Sequence, residues 1–408
     1  MAYHRADVLQ RAGRAEEAAP ERARAQAVQA GDCYPARLDD AAVLTRAIEA
    51  VPADARARAL LGHWSYAVGR HEEAARLWEE SARIDASDAV VQRNLGLAAA
   101  NVQGDPVGAI ERYETAIAAR PHDARLLYER DQLAALLEES PAQRLARLEA
   151  RADLVEQRHD LTVEYLHLLI SDGRAEDALP TLLIRPFQPW EGGEGQVLQA
   201  WERALAQLAH DAAGAGKPTT AVEHLQAALT PAPNLGEARH PLASTAALLL
   251  QLGDALAATR DAQGAARAWA DAASQRGDFL GMSTAEHSET TFWSVLALRR
   301  IGDEAGARAL TAALSEFRDS YAATAPSVDY FATSLPDLLL FAGDPVAARD
   351  RRVAVFDAQL ALLAGEAQAA SALLSRPDLL AERHAADLRH LLRTSARSLS
   401  TRVEEATP

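Results

Sequence analysis

The chain is 408 residues long, with 49% hydrophobic and 5% aromatic residues and a formal net charge of -16. That acidic balance argues against nucleic acid and anionic membrane as partners, since both require a basic footprint. A single cysteine, Cys33, rules out an internal disulfide and suits a reducing compartment.

The first residues, MAYHRADVLQRAGRAEEA, hold no apolar core of a signal peptide, so cytoplasm is the expected compartment. Gly13 and Ala18 sit as a turn and a small helix residue, with Ala25 seven further on. Counting back puts Met1 inside a helix, an array start without the usual polar cap. The expectation is either a neighbouring polypeptide or a longer chain. Cys33 reads as a small packing residue. Residues 36 to 52 read as one helix closed by Pro52. Then Leu61-Gly62 is followed by Ala74, Trp78 and Ser81 at offsets of 12, 16 and 19 from the glycine. Leu95-Gly96 stands 34 residues later, with Ala109, Tyr113 and Ala116 at those offsets plus one, and Pro121 closes the unit. This is the tetratricopeptide pattern, in which small residues stand where the two helices of a hairpin cross. Residues 1–123 thus read as N-terminal repeats.

Residues 124–160 read as an irregular helical connector, helical by period over LARLEARADLVEQR. Over 161–394 the pattern returns with longer spacing: Gly173 with Ala178, Gly216 with Ala221, Leu225 and Ala228, then Leu252-Gly253 with Ala265, Trp269 and Ala272. Gly302 with Ala307 and Gly365 with Ala370 are weaker echoes, and 395–408 reads as a frayed tail. Roughly eight or nine helical pairs follow from the repeat length. The Leu242–Leu256 stretch is too short to span a bilayer. No strand is expected. The fold class is all-α, an α-solenoid of tetratricopeptide-type hairpins.

Four segments break the consensus, each between a second helix and the next first helix: 185–195, 231–242, 277–293 and 328–345. Connections of that kind emerge on one edge of a solenoid, where loops on a rigid scaffold commonly bind. The candidate partner- or ligand-binding residues lie there: Trp190, Glu191, Glu194, Asn234, Glu237, Arg239, His240, Asp278, Phe279, Asp329 and Tyr330. Trp190 offers a flat face, and Gly192-Gly193 lets backbone approach a ligand; the plainer reading is a long turn with Trp190 filling a gap. Asn234, Glu237, Arg239 and His240 are either a binding cluster or a capping network. In the sequence Glu237 and Arg239 read as a pair and Pro241 as the start of a helix. Asp278 and the run Glu286 to Glu289 invite a metal or catalytic reading, yet no ligand spacing supports a metal. GAGKPT at 214–219 lacks the upstream glycine and the hydroxyl residue of a phosphate loop. No catalytic residue, cofactor or metal site is expected.

At PWEGGEG (189–195), NLGE (234–237), HPL (240–242), GDF (277–279) and VDYFATSLP (328–336) the chain resembles a group of large bacterial proteins. In these an N-terminal β-rich, carbohydrate-associated domain of unknown function precedes a long tetratricopeptide array. The resemblance covers essentially the whole chain and corresponds to the array alone. It implies a scaffold with a protein or peptide partner, among them a β-rich domain encoded upstream. The leading reading is therefore a non-enzymatic scaffold. The alternative is a carbohydrate-binding or carbohydrate-processing module using Trp190 and the loop carboxylates.

Overall fold

The computed structural model describes residues 1–28, 34–190, 192–280, 283–326, 340–341 and 343–393. Cys33, Glu191, Asp329, Tyr330 and the 395–408 tail lie outside these residues. The chain divides into two compact units, Met1–Leu137 with Leu340–Ala342, and Glu138–Leu339 with Gly343–Pro408.

The first unit runs α1 (Ala2–Arg11), α2 (Ala15–Ala27), α3 (Leu38–Ala50), α4 (Ala55–Ala67), α5 (His71–Ile84), α6 (Ala89–Asn101), α7 (Pro106–Ala119) and α8 (Ala124–Leu136). Ala- and Leu-rich stretches favour helix here, and aspartates set several starts. Asp54, Asp88, Asp105 and Asp123 each accept backbone N–H bonds from the first turn. Helices pair as α1/α2, α4/α5 and α6/α7, and α8 packs on α7. The 124–136 part of the expected connector is thus a regular helix of this unit.

The glycines explain the tightness of the hairpins. A Cβ on Gly62 would stand 2.6 Å from the Trp78 ring, and one on Gly96 2.8 Å from the Tyr113 ring. Each glycine seats the aromatic of its own second helix. Trp78 and Tyr113 are consequently buried, as are Ala74, Ala109 and Ala116.

The second unit runs α9 (Pro141–Glu149), α10 (Ala152–Val155), α11 (His159–Ser171), α12 (Ala175–Ile184), α13 (Gln196–Gly214), α14 (Pro218–Leu229), α15 (Ala246–Ala258), α16 (Ala262–Ser274), α17 (Thr291–Arg300), α18 (Glu304–Ala323), α19 (Pro345–Leu363), α20 (Ala367–Leu374) and α21 (383–393). Five hairpins, from α11/α12 to α19/α20, stack so that first helices meet first helices: α11 with α13, α13 with α15, α15 with α17, α17 with α19. The Gly253 site repeats the seat of the first unit, with Trp269 2.3 Å from a notional Cβ. The molecule is an all-α solenoid of helical hairpins.

The expectation of no strand is corrected. β1 (Asp278–Leu280) and β2 (Ser283–Ala285) form a short antiparallel hairpin with Asp278 opposite Ala285. Three residues per strand are too few for an alternating pattern to be read. What holds the entry is Gly277 at φ +73°, where a Cβ would meet the Ala285 carbonyl at 2.7 Å.

Candidate functional site

Number each first helix of the second unit so that its turn glycine (Gly173, Gly216, Gly302 or Gly365) is residue fifteen, or Gly253 residue eight. The sixth and ninth positions are then Glu164 and His167 on α11, Gln207 and His210 on α13, Gln251 and Asp254 on α15, Trp293 and Leu296 on α17, and Phe356 and Gln359 on α19. A recurrence of this kind puts the same face of every first helix on one side of the stack. That side holds a cavity of about 750 Å³, lined by Gln207, His210, Gln251, Trp293 and Gln359 of this row.

Three of the four exceptional segments converge on the same cavity, through Glu194, through Arg239 and His240, and through Asp278 and Phe279. Of the fourth, the described residues are 340–341 and 343–345. His240 and Phe279 stack with ring centroids 3.7 Å apart and 16° between planes, joining two loops into one aromatic surface.

Several of the sequence candidates are structural ties. Trp190 is absent from the lining and lies over Gly193, where a Cβ would stand 1.9 Å from its ring. Asn234 donates to the Leu182 and Arg185 carbonyls at 2.8 and 2.9 Å, closing the end of α12. Glu237 and Arg239 do not pair. Glu237 accepts from Gly195 N and Leu198 N, both at 2.9 Å, and so caps α13. Arg239 instead binds Glu202 of α13, at 2.8 and 2.5 Å, and the Ala228 and Leu229 carbonyls ending α14. Each takes the partner that its neighbouring helix end leaves unsatisfied.

Pro241 does not begin a helix either, because α15 starts five residues later at Ala246. The intervening turn is pinned by the hairpin loop: Ser244 N donates to Asp278 at 2.9 Å and Thr245 N to Gln275 at 2.7 Å. Asp278 also accepts from Phe279 N, Ser288 Oγ and Thr290 Oγ1, so its acceptor sites are taken up in holding the loop. In the Glu286–Glu289 run, Glu286 is exposed while Glu289 is buried against Arg352, at 2.6 and 3.0 Å.

Sequence reasoning missed the last helix. α21 returns to the first-helix face of its own unit. Arg383 donates to Gln199 at 2.9 Å, Asp387 accepts from Arg203 at 2.8 to 3.0 Å, and His390 meets Asp211 at 3.0 Å. Partners therefore advance together along α13 and α21, which run parallel, and Leu388 and Ala385 enter the core with Phe292 and Val295. The readable signal was the spacing of Arg383, Asp387 and His390, roughly one helical turn each.

Burial sets the electrostatics. His167 is pushed far below its ordinary range by desolvation, then by Arg383 and Arg203. Its Nδ1 accepts from Arg203 at 3.0 Å and its Nε2 meets the Gln196 carbonyl at 3.1 Å, which assigns a neutral ring protonated on Nε2. Glu164 is raised by burial, but Arg144 and Arg383 outweigh this and hold it below its usual range. Glu202 goes the other way: desolvation lifts it although Arg239 is bound to it.

No family model matches the chain. Among solved structures it is similar to YrrB, a TPR protein with an unusual peptide-binding site, at 20% identity and TM-score 0.36, covering 47% of this chain and 94% of that one. A second is Naa15/Naa10 bound to HypK-THB, at 16% identity and TM-score 0.39, covering 90% of this chain and 55% of that one. A third is pilF of Pseudomonas aeruginosa, at 16% identity and TM-score 0.23, covering 64% and 91%. At these scores the helix pairs of the chain itself, and not the neighbours, establish the solenoid. Among the described residues no helix is long and apolar enough to cross a membrane.

Proposed function

We propose that the chain is a non-enzymatic interaction scaffold of tetratricopeptide type that holds a protein partner on the first-helix face of its second unit. The observation that carries this is that Gln207, His210, Gln251, Trp293 and Gln359, from four successive first helices, line one cavity, joined there by three loops. Faces of this kind suit an extended or helical segment. The partner that the sequence resemblance suggests is a β-rich, carbohydrate-associated domain, encoded upstream or as a separate product.

A carbohydrate-processing role fits less well. Glycoside hydrolysis needs two available carboxylates across the scissile bond. Here Asp278 is held by four donors and Glu202 by Arg239 through one oxygen, Glu194 is exposed, and Trp190 stands outside the cavity.

The test is affinity capture from the native host with wild type and with a Gln251→Ala/Trp293→Ala variant, each checked by circular dichroism. A protein retained by wild type and lost by the folded variant supports the reading. Identical partners for both would remove the groove from the interaction.

A further inference from the structure

We infer that the cavity receives a cationic side chain, a lysine or arginine presented by the partner; this rests on the scaffold reading and narrows it. Count the lining charges with histidines neutral. Glu194, Glu202, Asp278 and Asp387 face two guanidiniums, Arg203 and Arg239. Arg203 neutralises Asp387 and Arg239 neutralises Glu202. Asp278 is bound only by neutral donors, and Glu194 forms no ion pair among the described residues. Two negative charges are left over, Glu194 at the exposed rim and Asp278 buried in the wall.

The free hydrogen-bonding groups have the same bias. Glu202 gives one oxygen, Oε1, to Arg239, and its Oε2 is bonded by no described residue. Gln359 is 1% exposed, and its amide nitrogen donates to the Glu289 carbonyl at 2.8 Å. Its Oε1 is buried and has no partner among the described residues, and the residue lines the cavity. A buried acceptor left unmade costs about 1–3 kcal/mol, so a donor arriving there is favoured. Glu202 Oε2 and Gln359 Oε1 are acceptors, which suit N–H donors of positive charge, while Gln251 brings an amide that can do either.

Walls supply the rest. The His240–Phe279 stack and the partly exposed Trp293 ring give an aromatic surface for the aliphatic stem and for cation–π attraction. An anionic or purely apolar side chain would leave the leftover charges and the Gln359 oxygen unanswered. A lysine or arginine answers both.

The probe is a fluorescein-labelled alternating Lys-Ala peptide, with its Glu-Ala counterpart and free lysine amide as comparisons, read by anisotropy and competition. Expected is binding of the Lys-Ala peptide and none of the Glu-Ala one. Glu202→Gln combined with Gln359→Leu should weaken it about tenfold or more, and the amide oxygen introduced on α13 can still accept from Arg239 and keep the fold. Glu223→Gln, an exposed change on α14, should leave affinity unaltered. Equal weakening by Glu223→Gln would overturn the inference, because overall charge alone would then explain the binding. Failure of wild type to bind the Lys-Ala peptide would also overturn it, while the capture experiment would still decide the scaffold reading. Free lysine amide binding as tightly as the peptide would keep the cation site and sink the protein-partner reading instead.

Discussion

At the scale of single residues, the decisive contacts join a group too small or too buried to change with one that fills it. Gly96→Ala gains about 1 kcal/mol of helix propensity but drives a methyl into the fully buried Tyr113 ring, and overpacking costs about 1–3 kcal/mol. A net loss is expected, seen as a lower urea midpoint, and Gly96→Ala/Tyr113→Leu should recover part of it. His63 makes a second case. Desolvation, chiefly, pushes it down to about 4, with Arg56 and Arg93 adding to the effect. Its Nδ1 accepts from Trp78 Nε1 at 3.0 Å and lies 3.1 Å from the Asn94 amide, so a proton there would displace both donors. The folded value is below the unfolded one near 6.5, so stability is present above that pH and lost as pH falls toward about 4. The loss amounts to about 3 kcal/mol, and thermal scans against pH should flatten in His63→Gln.

At the scale of elements, one polar tie of α21 is to the buried Arg203 guanidinium. Asp387→Ala leaves Arg203 without its counterion, a loss of about 3 kcal/mol or more for a buried charge. Hydrogen exchange in 383–393 should accelerate well before that of α13, and equal protection in variant and wild type would refute the docking role. Helix hairpins were legible because Gly62, Gly96 and Gly253 stand 16 or 17 residues before Trp78, Tyr113 and Trp269, and local spacing is what sequence records best. Residues 231–242 were legible as an exception but not in their pairings, since Glu237 caps a helix start 39 residues away and Arg239 reaches a carboxylate 37 residues away. The β1/β2 hairpin was too short to read, and where α21 docks was invisible, although its helical spacing was not, because its partners lie 179 to 184 residues earlier. Glu191, Asp329 and Tyr330 fall outside the described residues.

At the scale of the whole molecule, an open repeat array is expected to peel from its ends, each unit held only by its neighbours. The second unit departs from that, because α21 joins a core that also contains Phe292, Val295, Leu314 and Phe356. Cutting the chain after Ala381 should therefore lower both the midpoint and the denaturant slope of this unit, the slope because less surface unfolds in one step. A truncated chain with an unchanged slope would show α21 to be an ornament on an already cooperative stack.

The span between Arg203 and Asp387 is also an interval of time. A ribosome adding about 5–20 residues per second needs on the order of 10–40 s to travel from one to the other. Throughout that wait the nascent chain carries an arginine without its counterion beside greasy walls that nothing yet covers. Slow codons upstream of residue 383 would lengthen the interval in which α13 waits for the helix that completes its face.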